Sequence, residues 1–171
     1  MSKLILITGP MAAGKSTVAQ LVAERLMPAV HLRGDVFRRM IVSGRIDMSP
    51  EAPPEALAQL RLRYRMTRDA ARTYHENGFS VVVQDTIVGP ILREVIALYR
   101  DLPLIVVVLC PDVETIATRE AARNKQAYTG FSVEAFHDLF EKQTPRIGTW
   151  LDTSQQTAAE TAREVLQRVG A

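Results

Sequence analysis

A short apolar, β-branched run, Leu4-Ile5-Leu6-Ile7-Thr8, leads directly into Gly9-Pro10-Met11-Ala12-Ala13-Gly14-Lys15-Ser16-Thr17. The second stretch has the pattern G-x-x-x-x-G-K-[ST], the phosphate-binding loop, which requires a strand before it and a helix after it. Gly9 and Gly14 permit backbone conformations that a side chain would block. The loop N–H groups then converge on phosphate oxygens, and the helix that opens near Lys15 turns its positive end toward the same anion. Lys15 adds a mobile positive charge for the β- and γ-phosphates, and Ser16 offers a hydroxyl to Mg²⁺. The alternative is a glycine-rich β–α turn that binds nothing. The coincidence of the full motif with its required context argues against it.

The rest of the chain repeats the same alternation. Ala29-Val30-His31-Leu32, Val81-Val82-Val83, Leu104 to Leu109 and Ile147 to Leu151 read as further strands. Unbroken apolar strands suit a parallel sheet covered on both faces. Helical patterns fill the gaps at Ser16–Met27, Asp35–Val42, Pro54–Asn77, Pro90–Arg100, Asp112–Arg123, Ser132–Gln143 and Thr157–Val169. Two prolines open the third and Asn77-Gly78 closes it, while Thr157-Ala158-Ala159-Glu160 has capping-box spacing. The expectation is a three-layer α/β domain with right-handed crossovers. A chain of 171 residues leaves little beyond one such domain, spanning 1–171.

Composition narrows the function classes. The chain is 47% hydrophobic and 23% charged, an ordinary globular mixture that excludes disordered, collagenous and disulfide-scaffold readings. Cys110 is the single cysteine, so a reducing cytoplasm is the expected location. The longest apolar run, Leu104 to Cys110, is too short to cross a bilayer. A net charge of +2 does not argue for a nucleic-acid partner, but 17 of the 21 basic residues are Arg, whose rigid fork suits phosphate. Genome composition is a second source of that surplus. His31, His75 and His137 lack metal-ligand spacing, so no zinc site is expected.

With the loop, His31-Leu32-Arg33-Gly34-Asp35-Val36-Phe37-Arg38-Arg39 and Thr118-Arg119-Glu120-Ala121-Ala122-Arg123, the chain resembles the small-molecule kinases of the phosphate-loop class. Shikimate kinase, gluconate kinase and, most closely, chloramphenicol phosphotransferase are examples. An Asn-Lys-x-Asp guanine motif is missing, since Asn124-Lys125 continues as Gln126-Ala127. The resemblance implies a P-loop NTPase fold with a five-stranded parallel sheet in the order 2-3-1-4-5 and an arginine-bearing lid at about 119–131. It also implies ATP or GTP with Mg²⁺ as cofactors. Two departures stand out: Arg33 replaces one acid of the shikimate kinase pattern, and no drug-pocket residues transfer from chloramphenicol phosphotransferase.

Individual roles follow. The resemblance makes Asp35 the general base on an acceptor hydroxyl; a helix N-cap is the alternative. Asp85, closing the third strand, is a candidate for Mg²⁺ or substrate, or a turn residue before Gly89-Pro90. Gly9 to Thr17, Arg119, Arg123 and Thr153 are the nucleotide-binding candidates, with Lys15 and Arg119 also acting on the transferring phosphoryl group. Arg38 is a substrate candidate beside Asp35. Lys125, Tyr128 and Gly130 join the lid. Arg61, Arg65, Arg68 and Arg72 share a helix face, which reads as a solvated face, an anion rim or a nucleic-acid surface. The expected partners are a nucleoside triphosphate and a hydroxylated small molecule, an antibiotic or natural product first. A sugar, sugar-acid or nucleoside kinase of primary metabolism is the alternative. A nucleotide-dependent regulatory or nucleic-acid-binding module is the reading from another class.

Overall fold

The structure is a computed structural model and describes residues 2–49, 51–122 and 132–171. Five strands, β1 Leu4–Thr8, β2 Ala29–Arg33, β3 Ser80–Gln84, β4 Leu104–Leu109 and β5 Thr149–Leu151, form one parallel sheet in the order β2-β3-β1-β4-β5. Seven helices are described: α1 Lys15–Ala23, α2 Asp35–Arg39, α3 Pro54–Glu76, α4 Ile91–Leu98, α5 Val113–Ala121, α6 Val133–Gln143 and α7 Ala158–Arg168. The expected fold is present, with the expected strand order.

The period-2 alternation of β-structure divides the central strands between two cores. Ile5, Ile7, Val82, Val107 and Leu109 meet Val18 and Val22 of α1 and Ala162, Val165 and Leu166 of α7. Their neighbours Leu4, Leu6, Val81, Val83, Val106 and Val108 meet Tyr64 and Ala71 of α3, Leu92 and Val95 of α4 and Phe140 of α6. β1 is fully buried because both of its faces are covered. β2 lies at the sheet edge and is only half-buried. Each large side chain removed from water contributes roughly 1.5–3 kcal/mol, so the central strands hold the sheet.

Several boundaries differ from the expected ones. β5 begins at Thr149 rather than Ile147, because the chain first turns tightly through Ile147 N–H to the Pro145 carbonyl. Gly148 then crosses β4 at φ +79°, where a Cβ would come within 2.4 Å of the Val106 carbonyl. α1 ends at Ala23 rather than Met27, five residues before Pro28, which disfavours helix at Met27, the residue preceding it. α2 ends at Arg39 rather than Val42, short of Gly44 at φ +74°. At α7 the capping box is complete: the Glu160 amide donates to Thr157 Oγ1 and the Thr157 amide to Glu160 Oε2. Among the described residues no helix is long and apolar enough to cross a membrane.

Candidate active site

All five strands point their carboxyl ends the same way, so the segments after them gather on one edge of the sheet, where open α/β folds bind ligands. The loop of residues 9–14 leaves β1 at the centre. Gly9 (φ +150°) passes so near β4 that a Cβ would lie 2.2 Å from the Leu109 carbonyl oxygen. Gly14 (φ +88°) forms the N-cap of α1 without a side-chain cap, which leaves the first helical amides for an anion. Ala12 is held at φ +61°, a conformation that an L-residue adopts only at a cost of roughly 1–2 kcal/mol. Lys15 is buried and its Nζ donates to the Pro10 carbonyl at 2.6 Å, folded over the loop that it serves. Ser16 Oγ donates to Gln84 Oε1 at 3.1 Å, which ties the first turn of α1 to the end of β3.

The neighbouring strands bring two acids to this loop. The Gly34 amide donates to the Gln84 carbonyl and the Asp85 amide to the Ile7 carbonyl, which sets the ends of β2, β3 and β1 side by side. Asp35 starts α2 with its side chain 40% exposed, 2.9 Å from Arg39 Nη2 and 3.7 Å from Arg33 Nε. The N-cap alternative for Asp35 is corrected: Gly34 holds that position and makes no side-chain cap, and Asp35 is the first helical residue.

Asp85 is nearly buried. Its Oδ1 accepts from Arg63 Nη2 at 2.6 Å and from the Thr86 amide at 2.7 Å. Its Oδ2 makes no hydrogen bond and packs on Gly34, where a Cβ would come within 2.1 Å of it. Burial pushes the Asp85 carboxyl upward from the ordinary carboxylate range. Arg63, the Thr86 amide and Lys15 pull it back, and Asp35 adds to the upward push. Asp85 thus feels the charge of both Lys15 and Asp35.

On the other side, Arg119 in the last turn of α5 reaches over Gly14. Its Nη1 donates to the Ala13 carbonyl at 3.3 Å and its Nη2 to the Thr153 carbonyl at 3.2 Å. A cavity of about 390 Å³ opens here between Ala13, Gly14, Thr17, Arg119, Thr153 and Gln156. Thr153 Oγ1 is buried there without a hydrogen bond. A second cavity, of about 480 Å³, lies between α3, α6 and the segment after α2, and Met11 of the loop forms part of its wall. Arg38 lines this second cavity, with its Nη1 2.5 Å from Asp47 Oδ1.

The candidates therefore fall into three groups. Lys15, Ser16, Asp35 and Asp85 meet at the loop, Arg119 and Thr153 flank the smaller cavity, and Arg38 faces the larger one. Arg123, with Lys125, Tyr128, Gly130 and most of the expected lid, lies outside the described residues. Two site residues were not anticipated as such. Gln84 orients Ser16, and Arg63 neutralises Asp85 from the face of α3 opposite the basic stripe. Their partners come from distant segments, and only the position of Gln84 beside Asp85 offered a signal in the chain. The basic stripe itself is largely paired: Arg61 with Glu94 at 2.9 Å, Arg68 with Asp69 at 2.9 Å, and Arg72 with Asp101. Cys110, His137 and Glu141 also converge, their ligand-type atoms lying within 4.8 Å of one another. His137 and Glu141 are four apart on α6, a pairing that histidine spacing alone does not reveal. The Cys110 thiol donates to Glu141 Oε1 at 2.7 Å.

Comparison with solved structures returns the same fold at low identity. A sugar kinase from Janibacter sp. superposes with a TM-score of 0.73 at 17% identity, covering 99% of this chain and 95% of that one. The tunicamycin resistance protein of Deinococcus radiodurans gives 0.76 at 19%, covering 99% and 96%. The APS kinase CysC of Mycobacterium tuberculosis, in complex with AMPPNP and APS, gives 0.74 at 20%, covering 99% and 98%. No curated protein matches the sequence. A family model described as an AAA domain matches residues 4–145, and with its P-loop at the head of a 2-3-1-4-5 sheet the chain belongs to that family of P-loop proteins.

Proposed function

We propose that the protein transfers the γ-phosphoryl group of ATP or GTP to a hydroxyl of a small molecule, with an antibiotic or other natural product as the leading acceptor class. The observation that carries this reading is the placement of one phosphate loop between two cavities. The smaller opens on Arg119 and Thr153, the larger on Met11 and Arg63. A nucleotide in the first would present its terminal phosphate to an acceptor in the second. The kinase neighbours and the resistance protein among the similar folds agree with it.

The chemistry is positioning and charge compensation. The α1 amides, Gly14 and Lys15 hold the phosphates, and Arg119 neutralises charge that spreads over the moving group. The acceptor oxygen forms its bond to phosphorus as the bond to the nucleoside diphosphate breaks, and Asp35 accepts the hydroxyl proton. The Ser16 hydroxyl, steadied by Gln84, is a hard oxygen donor of the kind that Mg²⁺ takes alongside phosphate and water. When bound, the ion supplies charge on the β- and γ-phosphates. Asp85, with Oδ1 engaged by Arg63 and Oδ2 against Gly34, fits a positioning role, acting at the ion through water at most.

Lys15→Ala tests the reading. Release of nucleoside diphosphate should fall to background across a panel of hydroxylated metabolites and antibiotics. Phosphoryl transfer at the wild-type rate in that variant would refute it.

A further inference from the structure

We propose that the acceptor is an uncharged molecule with an apolar body, held in the larger cavity with its hydroxyl toward the loop. The proposal rests on the phosphotransfer reading and adds the class of acceptor. A cavity of about 480 Å³ falls within the range that takes drug-sized ligands. Its walls are supplied largely by Ile46, Leu57, Leu60, Val88, Ile91 and Leu139. Leu60, Val88 and Ile91 pack onto the core under α3, α4 and α6 with only part of their surface and present the remainder to the cavity. A sugar or sugar acid needs a hydrogen-bonding partner for nearly every group that it buries. These walls offer few: Ser49, Tyr64, Thr86 and Gln143 are the uncharged polar residues among them, and the Tyr64 hydroxyl already turns to the Thr86 carbonyl.

Charge makes the stronger argument. The cations that line this cavity among the described residues are Arg38 and Arg63, and each already holds a carboxylate. Arg38 binds Asp47 at the rim, while Arg63 and Asp85 pair with side chains 11% and 5% exposed. An anionic acceptor that took over Arg63 Nη2 would draw it off Asp85 and leave that carboxylate buried and uncompensated, and one that reached the unbonded Arg63 Nε would set a second negative charge beside the buried Asp85. Breaking such a pair weakens binding on the order of 10²–10³-fold. A neutral apolar molecule leaves both pairs intact, and its burial is favourable in itself.

The experiment uses the full chain and prodan, a neutral apolar fluorophore, as the reporter of cavity occupancy. Saturable binding with a blue shift is expected. Biphenyl-4-methanol should displace the dye at least roughly tenfold more tightly than the same alcohol carrying a ring carboxylate, and gluconate and shikimate should not compete. Leu57→Asp should weaken dye binding at least about tenfold while leaving the affinity for a fluorescent ATP analogue unchanged. Leu57→Trp, which fills the cavity without adding charge, should do the same should the aspartate variant fail to fold. Equal or tighter displacement by the carboxylate or by gluconate would overturn the proposal, as would wild-type dye affinity in the folded Leu57 variants. Failure of the phosphotransfer reading shows separately, as a wild-type chain that binds the dye but no ATP analogue.

Discussion

Gly34→Ala is the substitution whose effect follows most directly from the structure. Gly34 sits at φ −61° and ψ −31°, a conformation open to any residue, so its backbone does not require glycine. Its surroundings do. A Cβ would lie 2.1 Å from Asp85 Oδ2, 2.9 Å from Asp85 Cγ and 3.3 Å from Thr67 Oγ1. Asp85 cannot swing aside freely, because Oδ1 is held by Arg63 and the Thr86 amide. Either the carboxylate moves and strains a buried ion pair or the β2–α2 junction lifts from β3. Overpacking of this kind costs about 1–3 kcal/mol. Restricting the unfolded chain returns only about 0.4–1 kcal/mol. For a chain of this size each kcal/mol moves Tm by roughly 2–4 °C, so a fall of up to about 10 °C is expected. The decisive comparison is a double-mutant cycle followed by thermal melts. Asp85→Ala removes the obstructing carboxylate and has its own penalty from the stranded Arg63. In that background Gly34→Ala should be neutral or slightly stabilising, which gives a coupling of about 1 kcal/mol or more. Equal destabilisation by Gly34→Ala in both backgrounds would refute the contact argument.

Three further outcomes are expected. Asp35→Asn should lower kcat by about 10²–10⁴-fold with the ATP-analogue Kd nearly unchanged, and a large loss of nucleotide binding would reassign Asp35 to a metal or structural role. Arg119→Ala, which removes the guanidinium over Gly14, should lower kcat by about 10²-fold or more and weaken nucleotide binding; wild-type values in both measurements would remove Arg119 from the site. The Cys110 thiol is pushed up to about 12, by burial first and then by its hydrogen bond to Glu141. Alkylation by iodoacetamide should therefore be slow at pH 8 and accelerate about tenfold per pH unit up to pH 10; fast labelling at pH 8 or a plateau below pH 9 would contradict that environment.

The phosphate loop was legible because everything it needs is contiguous: a buried strand, two glycines, a lysine and a hydroxyl within a dozen residues. The sheet was legible for a related reason, since each central strand is buried on both faces and reads as an unbroken apolar run. β5 was only partly legible. Its edge position and the turn at Gly148 are set by contact with Val106 on β4, which no local pattern encodes. Arg63 illustrates the larger gap. Helical spacing groups Arg61, Arg65, Arg68 and Arg72 and leaves Arg63 off their face, where the local pattern gives it no partner. Its meaning comes from Asp85, twenty-two residues away and on another element.

That displacement also reverses the reading of the arginine surplus. The stripe that suggested an anion surface is compensated at three of its four arginines, by Glu94 near one end and by Asp69 and Asp101 farther along, so little free positive charge remains to attract a polyanion. The arginine outside the stripe is the one that reaches the site. There it does not serve as a spare cation either, because its partner is fixed from three sides, by Arg63 itself, by the Thr86 amide and by Gly34. A buried pair this constrained positions the end of β3 and the floor of the larger cavity together. Changes at Arg63 should therefore move the acceptor KM and the stability of the fold in parallel, whereas changes at Lys15 should strike turnover and leave stability nearly intact.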